Sequence, residues 1–386
     1  MASPKSSDVT KLFLKVQTGA TFETPDVFIP ISEGFSNNPT VESIARTVLT
    51  GTGSNLAPVT GQRFVAMSLP HEVSGVDYSN SEVPFIDPVL QGVGMVGAFG
   101  SAIPGTVTVN IEIGDVITGV TSTETAVAVI PARIGDTFIY VDTISGAFQA
   151  EVLNVSGSPV GTATGDVEQQ SREYTYVAAS AIKNLSVRLE EDLQKTEGYG
   201  GNLTVTLEAP ASQILTASME LQAKFNQIAN EDVYRKGPFA MTDTSSFVDK
   251  QPAVFDCARF EIDGVQDLVA AGTFNLDFAA NVQVRPNVNQ CDGVESIFIP
   301  NREPTFSFRI EQPLNTDWEY YQTWVGTTTS LGYWRYGDTQ YNTMHIIMPA
   351  LKITGVATAT ENKISYVDIT CSLTGISDDD LKILFT

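Results

Sequence analysis

The stretch PTFSFRIEQPLNTDWEYYQTWVG, residues 304–326, alternates apolar and polar side chains, breaks at Pro313, and then turns aromatic. Alternation with a period of two is the mark of a strand with one buried face. The part after the proline reads as a helix over residues 317–325, with Asp317 as N-cap before WEYYQTW. Much earlier, GQRFVAMSLPHEVSG (61–75) followed by VPFIDPVLQGVGM (83–95) runs through the same strand, break and helix, the helix expected over 84–93. Further strands are NLTVTLEAP (202–210), TASMELQAKF (216–225), TFNLDFAANVQV (273–284) and ISYVDITCSL (364–373). Short alternating runs rich in Val, Ile, Thr and Phe, cut by Gly, Pro and Asn, predict an all-β protein. The expected class is a mainly antiparallel β-sandwich or barrel with a short flanking helix.

The elements recur in order. In the second half a strand (GTFNLDF) leads to a long loop, then the strand PTFSFRIE, the helix, and a hairpin of NTMHIIMPALKI with KISYVDITCSL. In the first half DVFIPIS, a long loop, RFVAMSLPHEV, the helix and a hairpin of GNLTVTLEAP with QILTASMELQAKF follow the same plan. This match of pattern predicts a duplication. Residues 101–166, rich in Gly, Thr, Val and Ile, interrupt the first copy as a small inserted β-module on the outer surface. The expected division is therefore 1–100 with 167–229 as a discontinuous first domain, 101–166 as the insertion, 230–251 as a polar linker, and 252–386 as the second domain. The segment ISDDDLKILF adds a short terminal element. Loops over 37–62 and 287–302 are long enough to be functional.

Charged residues are only 17% of the chain, yet 45 Asp and Glu against 22 Lys and Arg leave a net charge of −23. Acidic residues exceed basic ones in every quarter. Tight nucleic-acid binding, which needs basic patches to displace counterions, is excluded on this ground. Three dispersed cysteines, Cys257, Cys291 and Cys371, form neither a disulfide framework nor a zinc motif, and Cys371 reads as a small buried apolar residue. His71 and His345 lie in or beside strands with no nucleophile signature, which points to structural roles. No run approaches the ~20 apolar residues of a membrane-spanning helix, and the N-terminal stretch lacks the apolar core of a signal peptide. A soluble protein made in the cytoplasm is expected.

With the duplicated order laid out, the chain resembles the tail tube proteins (major tail proteins) of long-tailed bacteriophages, in their duplicated form. The residues carrying the likeness are TVESIART, GQRFVAMSL, PFIDPVLQGVGM and GGNLTVTLEAP in the first half. In the second they are FEIDG, FNLDFAANVQVRP, IPNREPTFSFRIE and DDDLKILFT. The ordered set, rather than any one motif, makes the resemblance, and it covers nearly everything except the insertion. It implies two tandem tail-tube-like repeats whose inner sheets join around a ring, with rings stacked into a hollow tube for DNA ejection. A two-repeat chain would build homotrimers of pseudo-sixfold symmetry; homohexamers are the alternative. The implied partners are further copies of the chain, a tape measure protein, and tail terminator and distal tail proteins. DNA is passing cargo only, no membrane is involved, and the place is the virion tail, assembled in the host cytoplasm.

Within that frame the hydrophilic hairpin faces are candidates for the lumen: Thr204, Thr206 and Glu208 opposite Ser218, Glu220 and Gln222, and in the second copy Asp368, Thr370 and Ser372. The same alternation also describes the wet side of an ordinary sandwich. Candidate packing and interface anchors are Trp318, Tyr321 and Trp324 with Phe85 and Leu90. The long loops are expected to order against the next ring.

A rival class is a carbohydrate-binding adhesin or receptor-binding β-sandwich, using Trp318, Trp324 and Trp334 with their neighbouring tyrosines as an aromatic platform. An enzyme is disfavoured. Glu190 and Glu191, or Asp378 to Asp380, are adjacent and diverge in a strand, and no P-loop, GxSxG, HExxH or dinucleotide fingerprint occurs. SDDD lacks the spaced ligands of an EF-hand. No catalytic, cofactor-binding or metal-binding residue is assigned.

Overall fold

The computed structural model describes residues 10–32, 34–38, 40–44, 59–76, 78, 81–191, 194–210, 213–226, 235–236, 242, 244, 258–265, 273–290, 292–314, 318–337, 339, 341–375 and 379–386. The protein is all-β, built of antiparallel ladders with two short α-helices among the described residues.

The chain begins with β1 (Thr10–Val16), β2 (Val27–Ile29), β3 (Ser36–Asn37), β4 (Thr40–Ile44) and the long β5 (Val59–Glu72), then helix α1 (Asp87–Gly92). Next come β6 (Met95–Val107), β7 (Val116–Gly119), β8 (Thr125–Ala128), β9 (Phe138–Asp142), β10 (Glu151–Val155), β11 (Ser158–Ala163) and β12 (Glu168–Tyr176). The first half closes with β13 (Leu185–Glu191), β14 (Gln194–Ala209), β15 (Thr216–Phe225) and β16 (Arg235–Lys236). The second half holds β17 (Arg259–Ile262), β18 (Phe274–Asp277), β19 (Gln283–Pro286), β20 (Val294–Phe298) and β21 (Thr305–Glu311). Helix α2 (Tyr320–Val325), β22 (Ser330–Tyr336), β23 (Met344–Glu361), β24 (Ile364–Leu373) and β25 (Lys382–Phe385) complete it.

The two halves repeat one ladder, residue against residue. Met67 and Leu69 of β5 face Leu221 and Met219 of β15. Phe306 and Phe308 of β21 face Cys371 and Ile369 of β24 in the same way. Leu185 and Val187 of β13 meet Gly201 and Gly198 of β14, a slip of one residue. Ser330 and Gly332 of β22 meet Leu351 and Met348 of β23 with the same slip. In both halves the long strand, β14 or β23, passes from one sheet of the sandwich to the other.

The halves also fuse. Strand β18 ladders with β21 on one side and with β14 of the first half on the other, Thr206 facing Asp277 and Glu208 facing Asn275. One antiparallel path therefore runs β3, β5, β15, β14, β18, β21, β24 and β23. On the opposite side β17, β22, the first part of β23, β25, β12 and β6 make a second path. A single core fills the space between. Phe306 and Phe308 come from the first path and Trp334, Ile346 and Ile383 from the second, all buried. Burial of this alternating apolar set is the dominant favourable term in folding.

Residues 103–163 form an apolar cluster of their own, centred on Ile103, Ile117, Ile139 and Leu153. Of its stem, β6 runs through the border expected at 100, while β12 begins at Glu168, just past the one expected at 167, and pairs with both β6 and the C-terminal strand β25. The module lies on the second path's outward face, where Val129 and Ile130 pack on Tyr333, Ile347 and Leu384. Arg133 locks it there, 2.8 Å from Glu261 and 2.7 Å from Glu112. The module thus stands across the sandwich from the first path.

Both helices are shorter than the sequence suggests. Helix α1 opens with Pro88 in its first turn and buries Val89 and Leu90; the Asp87 carboxylate accepts from Arg172 (3.0 Å), Tyr174 (2.8 Å) and Gln91 (2.6 Å). Helix α2 starts at Tyr320, and Asp317 lies outside the described residues. The loop 287–302 has structure within the chain: β19 and β20 pair as a hairpin, and β20 packs on β5, β14 and β15. For 37–62, β4 pairs with β5, while 45–58 fall outside the described residues. Of the expected linker, Arg235–Lys236 pair with Thr196 and Lys195, Thr242 is held by Glu190, and most of the remainder lies outside the described residues.

Candidate functional site

Strand pairing decides what shares a surface, because residues directly opposite on neighbouring strands point to the same side. Ser218 faces Thr206, Thr206 faces Asp277, Asp277 faces Thr305, and Thr305 faces Ser372. The next row reads Glu72, Thr216, Glu208, Asn275, Ser307 and Thr370. Ser68, Glu220 and Thr204 form another. All nine candidate residues, Thr204, Thr206, Glu208, Ser218, Glu220, Gln222, Asp368, Thr370 and Ser372, therefore lie on one face of one continuous sheet. Each is exposed or half-buried, and the alternate positions Leu203, Val205, Leu207, Ala217, Met219, Leu221, Val367, Ile369 and Cys371 are core.

The face is acidic. Glu72, Glu208, Glu220, Asp277, Glu311, Glu361 and Asp368 project from it. Among its described strand residues Arg309 is the cation at its centre. That guanidinium is clamped: Nε and Nη2 donate to the two Asp368 oxygens at 2.6 and 3.0 Å, and Nη1 to Glu361 at 2.8 Å. The Asp368 hydrogen bonds, and then its charge, raise the arginine's pKa above the ordinary value. Two lysines share the face, Lys224 at its far end and Lys352 directly opposite Ser372. The first is buried beside Asp292 (3.6 Å), and the second donates to the Gly326 carbonyl. Lys363 lies in the exposed turn between β23 and β24.

Sequence reasoning missed Glu72, Asn275, Asp277, Ser307 and Glu311 as members of this face. The alternation in PTFSFRIE already marked Ser307 and Glu311 as outward; what it lacked was the partner strand.

The other candidates divide. Trp318 and Leu90 are core, Phe85 is half-buried against the core, and Tyr321 and Trp324 are 46% and 38% exposed beside Val325 at 79%. Trp334 is fully buried and stacks on Phe274 at 5.0 Å, so the tryptophans do not assemble into one exposed platform. His345 is sealed between the Tyr333 hydroxyl and Thr386 Oγ1, each at 2.8 Å, and burial pushes its pKa down to about 3. Cys371 is buried, its thiol pushed up to about 12. Glu190 is buried and bound to Arg188 and Thr242. Among the described residues no three His, Cys, Asp or Glu side chains cluster as a metal site. Compared with known proteins, the chain matches no protein-family model and no curated protein.

Proposed function

We propose that this protein is the repeating subunit of a hollow tube of the phage-tail type, with the acidic sheet face turned to the bore. One observation carries the proposal: a single antiparallel sheet crosses both halves of the chain and presents one polar, carboxylate-rich side. Sheets with free edges are managed by pairing or closure. Joining such sheets around an axis gives a ring, and contacts along the axis that do not close give a filament. Three chains supply six repeats in this scheme, with six chains as the alternative. The inserted module, lying across the sandwich, falls on the outside. The tape measure, terminator and distal tail proteins are the partners that the resemblance implies, and the virion tail is the place.

The chemistry suits transit rather than binding. DNA carries a charge every ~1.7 Å of helix axis, so unpaired cations repeated along a bore would hold it. Carboxylates repel it over about 8 Å, the Debye length at physiological salt, and clamping Arg309 between two acids removes the central positive site. Among the described residues no aromatic platform favours the adhesin alternative, since Trp318 and Trp334 are core.

Replacing Glu208 and Glu220 by lysine is expected to leave tubes intact and slow DNA ejection several-fold. Single-virion ejection kinetics measure this. Wild-type rates in such particles would take both residues out of the proposed wall.

A further inference from the structure

The chain carries a template for its own next neighbour. Inside the molecule, the far edge of β14 is taken up by β18, Thr206 facing Asp277, Leu207 facing Leu276 and Glu208 facing Asn275. Each partner has a counterpart in the other half. Strand β18 places Asn275 and Leu276 against Ser307 and Phe306 of β21; β3 places Ser36 and Asn37 against Ser68 and Met67 of β5, the matching residues. Both segments begin at a phenylalanine, Phe35 or Phe274. Likewise Thr206 and Leu207 of β14 face Ser218 and Ala217, while Ala357 and Thr358 of β23 face Asp368 and Val367. The β14 edge is filled. The corresponding β23 edge, residues 357–360, has no ladder partner among the described residues, and neither does the outer edge of β3.

A second contact follows the same rule. Arg302, just before β21, reaches into the first half and donates to the carbonyls of Gly94, at the exit of α1, and Val177, at 3.0 and 2.9 Å. At the matching position, four residues before Met67 and within β5, stands Arg63, its backbone paired with Val41. The matching helix exit is that of α2, at Gly326, and this helix leaves Tyr321 and Trp324 half-exposed where α1 is buried.

We infer that the occupant of the β23 edge is a second copy of this chain. Its residues 35–38 add antiparallel to residues 357–360, with Ser36 opposite Ala359 and Asn37 opposite Thr358, and its Arg63 reaches the end of α2. The inference rests on the proposed tube assembly and specifies its lateral joint. Strand addition of this kind draws its strength from main-chain hydrogen bonds, and pairing removes two open edges at once.

The test is a cysteine pair. In tubes assembled from the full-length Ser36→Cys/Ala359→Cys variant, oxidation should link chains covalently. The ladder on a denaturing, non-reducing gel should stop at three chains, and each single variant should give none. Arg63→Ala should raise the concentration needed for assembly about tenfold. Normal tubes from the double variant without cross-links would overturn the joint and leave the tube proposal standing. A wild-type protein that never assembles would overturn both.

Discussion

Trp334→Ala should destabilise the protein by about 3–5 kcal/mol, the usual cost of removing a large buried aromatic side chain. Trp334 is fully buried. Its ring stacks on Phe274 at 5.0 Å and lies 5.8 Å from Phe306 and 5.9 Å from Tyr336. Phe274 opens β18, the strand that joins the two halves, so the cavity opens beneath the joint itself. The indole Nε1 is buried without a protein hydrogen-bond partner. Trp334→Phe should therefore cost much less, because it keeps most of the ring while removing an unsatisfied donor. Denaturant titration of both variants measures the difference. A loss below about 1 kcal/mol for the alanine variant would mean that this ring is not a keystone of the core.

Acid should weaken the fold well before its carboxylates titrate. Burial lowers His71 to about 4, its Nδ1 donating to the Pro30 carbonyl at 2.7 Å and its Nε2 buried without a partner. Burial, with Arg335 nearby, lowers His345 to about 3. Unfolded, both return to about 6.5. Between those values the unfolded chain binds the extra protons, so stability is fully present above pH ~6.5 and falls as pH drops toward the folded values. Each histidine contributes a slope of about 1.4 kcal/mol per pH unit, so the pair costs roughly 5 kcal/mol by pH 4.5. His71→Gln should halve the slope between pH 6 and 4.5. An unchanged slope would show that His71 takes up its proton in the native state.

How far the sequence could be read depends on what a local pattern encodes. The period-two runs announced the strands and their two faces, and Ser218, Glu220 and Gln222 emerge on the wet side as the alternation predicts. A period does not name a partner, however. Nothing in TFNLDF says that Asp277 will face Thr206, or that ILF at the C-terminus will pair with the stem strand β12. These pairings are fixed by non-local packing. The crowd of aromatics in DWEYYQTWVGTTTSLGYWRY invited a platform, yet alternation in SLGYWRY already sends Trp334 and Tyr336 to one side, and the core takes them. Clustering along the chain is not clustering in space. The loop 287–302 looked unpartnered for a similar reason, since its support comes from β5, β14 and β15, far away in sequence.

A reconstruction of the assembled protein by electron microscopy bears most directly on the tube proposal. The expected result is a hollow tube whose bore is walled by the sheet bearing Glu208, Glu220 and Asp368, with the 101–166 module outermost. A tube with that face turned outward, or a protein that stays monomeric at every concentration, would contradict it.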